Sequence, residues 1–235
     1  MPKEYFVLYT PDDMNRAYEL FEKDFTHDEI FDVLKGSDDI KKQVCLLNLD
    51  TINSKEDAKI LVSVLTGQHG PVREICSAKI NEFVKNPQLR QYFDDKQISE
   101  TVLDALNDII PTVARNISEV INLFPQNNYL KNKLCERIIT VENCPYEEMP
   151  SGKHEISRTN FKLYWYLEAL FYLVNEDDNS EILREIIEKS YKHEDYTIRE
   201  KVATLLSELK GFDEFKEVLL KDENPYVVRN LQNML

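Results

Sequence analysis

One unit recurs along these 235 residues: a branched apolar residue followed closely by a basic one, opening an amphipathic helix. It appears as DDIKKQVCLLNL from Asp38, GPVREICSAKINEF from Gly70, PTVARNISEVINLF from Pro111, DYTIREKVATLLSEL from Asp195 and NPYVVRNLQNML from Asn224. Aligning Ile40, Val72, Ala114, Ile198 and Val228 gives separations of 32, 42, 84 and 30 residues. The third interval holds two units of about 42, a period expected of stacked helix pairs. A degenerate unit, HEISRTNFKLYWYLEALFYLV, fills it, with Ser157 and Arg158 in the equivalent place.

Each of these helices follows a turn and another helical segment. The segments are Asp12 to Lys23 or Asp28 to Leu34, then Lys55 to Leu65, Ser99 to Asp108, Tyr129 to Thr140, Ser180 to Tyr191 and Phe212 to Leu220. Six helix pairs result. Thr10-Pro11 supplies an N-cap with proline in the first turn, and Thr26-x-x-Glu29 reads as a capping box. A lone helix pair cannot cover its own apolar face, so neighbouring pairs must stack into one continuous core.

The pattern resembles HEAT repeats, whose second helix commonly opens with Asp or Asn, Pro, any residue, then Val-Arg. Asn224-Pro225-Tyr226-Val227-Val228-Arg229 and Gly70-Pro71-Val72-Arg73 carry the resemblance. It implies an all-α superhelix of about twelve helices, forming a single domain over residues 1–235. It also implies that the second helices line a concave side, with Arg73, Arg115, Arg199 and Arg229 each bonding an acidic group of the adjoining repeat. Enzymes occur on HEAT-like folds too, among them alkylpurine DNA glycosylases and bilin lyases. Only Trp165 and Glu168 map, loosely, onto the glycosylase pattern.

Composition narrows the function classes. A net charge of −14 repels phosphate backbones, and no local basic patch overcomes that field, which argues against nucleic acid as a partner. Lys131, Lys133 and Arg137, and likewise Lys153, Arg158 and Lys162, are diluted by acidic neighbours. The N-terminal apolar run, Tyr5 to Tyr9, is short and closed by Thr10-Pro11, and no stretch reaches the roughly 18 apolar residues of a membrane span. A cytoplasmic chain without a membrane partner is expected.

With only five glycines, the sequence has no phosphate-cradling loop, and it has neither a nucleophile elbow nor a His-Glu-x-x-His. No cofactor is expected. The four cysteines, Cys45, Cys76, Cys135 and Cys144, have no close-paired spacing, and a Cys135, Cys144, His154 set lacks a fourth ligand, so no metal is expected. His27, His69, His154 and His193 fall near helix ends. The acidic pairs Asp38-Asp39, Asp94-Asp95, Glu147-Glu148 and Asp177-Asp178 read as helix caps. No catalytic residue is nominated.

One segment exceeds what a solenoid requires. Phe161 to Val174, FKLYWYLEALFYLV, holds the sole tryptophan among five other aromatics. On a helical wheel, Leu163, Tyr166, Leu167, Leu170, Leu173 and Val174 form an apolar arc for the core. His154, Arg158, Phe161, Trp165, Glu168 and Tyr172 fall on the opposite stripe. Large aromatics mixed with Arg and Glu have the composition of a recognition patch, and the alternative is packing of the same rings against neighbouring second helices. The reading is a non-enzymatic scaffold or adaptor that grips a protein partner, with a basic or amphipathic segment, on its concave face. Leu231, Met234 and Leu235 leave an apolar C-terminal end through which self-association is also open.

Overall fold

The computed structural model describes residues 9–143 and 153–232, the first four of the second stretch as backbone only. Every regular element among the described residues is helical. Helix α1 (Pro11–Phe21) precedes six pairs. These are α2 (His27–Lys35) with α3 (Asp39–Leu47), α4 (Lys55–Ser63) with α5 (Gly70–Lys85), and, after the one-turn α6 (Pro87–Arg90), α7 (Lys96–Ala105) with α8 (Pro111–Ser118). There follow α9 (Asn127–Glu142) with α10 (Lys153–Leu173), α11 (Glu181–Ser190) with α12 (Tyr196–Glu208), and α13 (Asp213–Leu219) with α14 (Pro225–Gln232). No helix among the described residues is long and apolar enough to cross a membrane.

The pairs stack in two rows. Second helices α3, α5, α8, α10, α12 and α14 pack successively in one, and first helices α2, α4, α7, α9 and α11 in the other. An Arg184–Glu214 ion pair ties α13 to α11. Both candidate segments before α3 are helical, and each packs on α3. One apolar cluster runs between the rows from Ile30 to Leu231. Each aliphatic side chain in it contributes about 1.5–3 kcal/mol. Of the three residues on which the self-association reading rests, Leu231 is buried, and Met234 and Leu235 lie outside the described residues.

Local chemistry sets the helix starts. The Thr10 and Thr26 hydroxyls accept from the backbone of Asp13 and Glu29, whose carboxylates accept in return from the threonine N–H groups at 2.9 and 2.8 Å. Asp38, Ser54, Asp95, Ser180 and Asp195 cap α3, α4, α7, α11 and α12, each by satisfying an N–H that has no partner inside the helix.

The basic residues at the second-helix starts separate into two registers. Lys42, Arg73 and Arg199 stand four residues past the caps Asp38, His69 and Asp195, and they turn inward. Arg73 donates through Nε and Nη2 to Asp108 at 2.5 and 3.0 Å, and Asp108 also accepts the N–H of Ile110. Arg199 makes the same contact with Asp222, which accepts the N–H of Asn224. Each aspartate lies in the turn that opens the next second helix. Lys42, fully buried, donates to the Gln68 side chain in the turn before α5.

Arg115 and Arg229 depart from the expected pattern. They stand five residues past Ile110 and Asn224, roughly 100° further round the helix. Both are exposed and make no ion pair among the described residues. The inter-repeat bonds there come from the following residue: Asn116 Nδ2 donates to Ser77 Oγ at 2.9 Å, and Asn230 Nδ2 donates to Glu200 Oε1 at 3.2 Å. Aligning branched–basic dipeptides therefore slipped by one residue at α8 and α14, and by one residue in the opposite direction at α3, where Ile40 stands two past Asp38 and Lys42, not Lys41, is the inward cation. In the structural register, the apolar residue three past the cap is Val72, Val113, Ile198 and Val227, all of them 0% exposed.

Candidate functional site

Helix α10 runs 21 residues without a glycine or proline to interrupt it. Leu163, Tyr166, Leu167 and Leu170 point into the core, and the Tyr166 hydroxyl accepts from Asn107 Nδ2 at 2.6 Å. Leu173 and Val174 are half-buried.

The stripe read as opposite to the core does not form one exposed surface. Arg158 is exposed, Phe161, Glu168 and Tyr172 are half-buried, and Trp165 is only 6% exposed. The side chain of His154 lies outside the described residues. The cause is the position of α10 in the middle of its row: α9, α8 and α12 all pack against it, so a wheel with one buried side leaves out the seam with α12. Along that seam Glu168 pairs with Lys201 at 2.7 Å, and Lys201 Nζ lies 4.5 Å from the centroid of the Tyr164 ring. Burial alone would lower the Lys201 pKa, but the hydrogen bond and charge of Glu168 outweigh it and hold the ammonium above its ordinary value. Tyr172 is raised, first by burial and then by the charges of Glu168 and Glu119.

A pocket of about 340 Å³ opens between the N-terminal half of α10 and the start of α12. Its apolar wall is Phe161, Tyr164 and Trp165. The tryptophan meets both neighbours nearly at right angles, with centroids 6.2 and 5.2 Å away. Its polar wall includes Asn160, Asp195 and Thr197. Asp195 caps α12 by accepting from the N–H and hydroxyl of Thr197 through Oδ1, and it accepts from Asn160 Nδ2 through Oδ2 at 3.0 Å. Burial works to raise the Asp195 pKa, but these hydrogen bonds prevail and lower it. The Trp165 indole N–H, by contrast, is buried without a hydrogen-bond partner among the described residues. An unsatisfied buried donor costs about 1–3 kcal/mol.

Of the residues lining this pocket, Phe161 and Trp165 belong to the stripe nominated from the sequence, and Asn160, Tyr164, Asp195 and Thr197 do not. Asp195 carried only the signature of a helix cap, and nothing local links it to Phe161. Beside the pocket, Tyr196 and the next repeat's Tyr226 stack with centroids 6.5 Å apart and planes 28° apart, 41% and 58% exposed.

Cys45, Cys76 and Cys135 are buried, and burial pushes the thiols of Cys45 and Cys135 up to about 11. Cys144 lies outside the described residues, as does most of the Val141 to Gly152 connection. Among the described residues no group of three or more His, Cys, Asp or Glu is arranged to hold a metal.

Similarity to a solved structure supports the all-helical fold. An engineered protein solved by crystallography superposes with a TM-score of 0.51 at 13% identity, covering 88% of this chain and 94% of its own. This chain is an all-α helical-repeat solenoid. A designed armadillo repeat protein gives a TM-score of 0.41 at 15% identity, covering 88% of the solenoid and 97% of its own chain. Neither a protein-family model nor a curated protein matches the sequence.

Proposed function

We propose that this solenoid is a HEAT-type scaffold that binds a protein partner on the face of its second helices. Arg158, Phe161 and Trp165 of α10 lie at the centre of that patch, and Tyr196 and Tyr226 extend it. The stacked pair Tyr196–Tyr226 carries the reading. Two large aromatics on consecutive repeats stay exposed and mutually ordered, the kind of anchor that dominates protein interfaces together with arginine and tryptophan. The Arg73–Asp108 and Arg199–Asp222 bonds support the HEAT-type reading, because both join a second-helix arginine to the next repeat's turn. The half-buried Glu168–Lys201 pair gives no support to a glycosylase-like role for Glu168.

The test is capture of partners from the source cells on the immobilised full chain. Arg158→Glu and Tyr196→Ala alter exposed side chains, so folding is expected to be unaffected. Each should remove the captured partner, whereas Asn132→Ala on first helix α9 should retain it. Retention through both second-helix variants overturns the proposal.

A further inference from the structure

The pocket between α10 and α12 combines three features that the fold itself leaves unexplained. It has aromatic walls set nearly perpendicular to one another, a buried indole N–H with no partner among the described residues, and a charged cap residue whose acceptor capacity is not exhausted. A carboxylate offers about four acceptor positions. Asp195 uses two on Oδ1, for the Thr197 N–H and hydroxyl, and one on Oδ2, for Asn160. One position remains.

That remainder discriminates between cations. An arginine fork is best matched by both oxygens of a carboxylate, and Asp195 Oδ1 is already saturated. A lysine ammonium is a compact charge that needs only a single acceptor, and it gains further from adjacent aromatic faces. The indole N–H asks for the opposite chemistry, an acceptor. A lysine residue within a peptide supplies both, with the ammonium at the end of its side chain and a carbonyl on its main chain.

Charge favours the same class. The chain's net charge of −14 draws a basic segment towards it. The nearby cations Lys201 and Arg199 are already paired, with Glu168 and Asp222.

We propose that this pocket takes one lysine side chain of an extended peptide, with the Trp165 indole N–H donating to a peptide carbonyl and Asp195 Oδ2 accepting from the ammonium. This rests on the partner-binding reading above and adds the residue class recognised at its centre.

The chain has a single tryptophan, so one indole N–H resonance reports the site in the ¹⁵N-labelled full-length protein. The probes are blocked pentapeptides with a central lysine flanked by glycine and serine, and the same peptides with norleucine, arginine or glutamate at the centre. The lysine peptide should move the indole resonance downfield and bind about tenfold tighter than the norleucine peptide, the scale of one hydrogen bond between the ammonium and the Asp195 carboxylate. Asp195→Asn keeps a good helix cap and should erase that preference.

Equal binding of lysine and norleucine, tighter binding of arginine or glutamate, or an indole resonance unmoved by every peptide at millimolar concentration each overturns the lysine site. Arg158 and Tyr196 are not needed for that contact. Loss of partner in their variants alongside a failed peptide titration removes the lysine site and leaves the scaffold reading standing.

Discussion

Arg199 and Asp222 belong to different helix pairs, yet they meet through two hydrogen bonds of 2.7 and 3.0 Å, largely shielded from solvent. Arg73 and Asp108 repeat the arrangement near the other end of the chain. In each case the aspartate also holds the N–H two residues on, shaping the turn that starts the next second helix. One contact thus couples the geometry of a turn to the docking of a repeat, which makes it a sensitive place to test the stack.

Removing one partner leaves a buried charge uncompensated. Arg199→Ala is expected to cost about 3–5 kcal/mol, and Asp222→Ala a similar amount, with the double variant well short of their sum. Arg115→Ala, one residue out of register and exposed, should change stability by no more than about 0.5 kcal/mol. Urea unfolding curves measure all four, and a costly Arg115→Ala would contradict the assigned register.

The same pair makes stability fall in acid. Hydrogen bonds from Arg199 are the main cause holding Asp222 below its ordinary pKa, and Asp195 is also lowered. A carboxylate depressed in the folded state contributes stability above its unfolded pKa of about 3.9, and that contribution disappears as pH drops through the folded value. The urea midpoint should therefore decline as pH falls from about 5 to 3. Asp222→Asn should lower the plateau near neutrality and make the acid decline shallower.

Trp165 separates packing from hydrogen bonding. Trp165→Ala empties a buried aromatic site and should cost about 3–5 kcal/mol. Trp165→Phe keeps most of the wall and deletes the unsatisfied N–H, so its cost should be about 1 kcal/mol or less. Thermal and urea unfolding give both values, and equal losses would mean that the indole N–H is satisfied in solution.

Cys45, Cys76 and Cys135 are buried with raised thiol pKa values, so little thiolate exists at pH 8. All three should resist a disulfide-exchange reagent in the native state and react on unfolding. Peptide mass mapping after timed labelling assigns the rate to each cysteine.

The helix starts are legible in the amino-acid sequence because they depend on chemistry within one turn. Thr10 with Asp13 and Thr26 with Glu29 cap as their spacing requires, and Asp38 and Asp95 do the same. The stacking of six pairs is legible because an amphipathic helix pair has an apolar face that only a neighbour can cover. The slip at Arg115 and Arg229 shows the limit of that logic. A branched–basic dipeptide marks the opening of a helix, but a single residue of offset turns a side chain by about 100°, from the seam between repeats out to solvent.

The sequence by itself thus determined an all-helical stack of pairs, the caps that begin its helices, and a mid-chain helix unusually rich in aromatic rings. Only the tertiary structure decided where those rings point. Helix α10 has neighbours on three sides, so Trp165 turns into the seam with α12, and Asp195, a plain helix cap in its own segment, becomes the charged wall of the same pocket. The reason is physical: helical periodicity records which residues share a face, whereas the burial and chemistry of that face depend on what the rest of the chain packs against it.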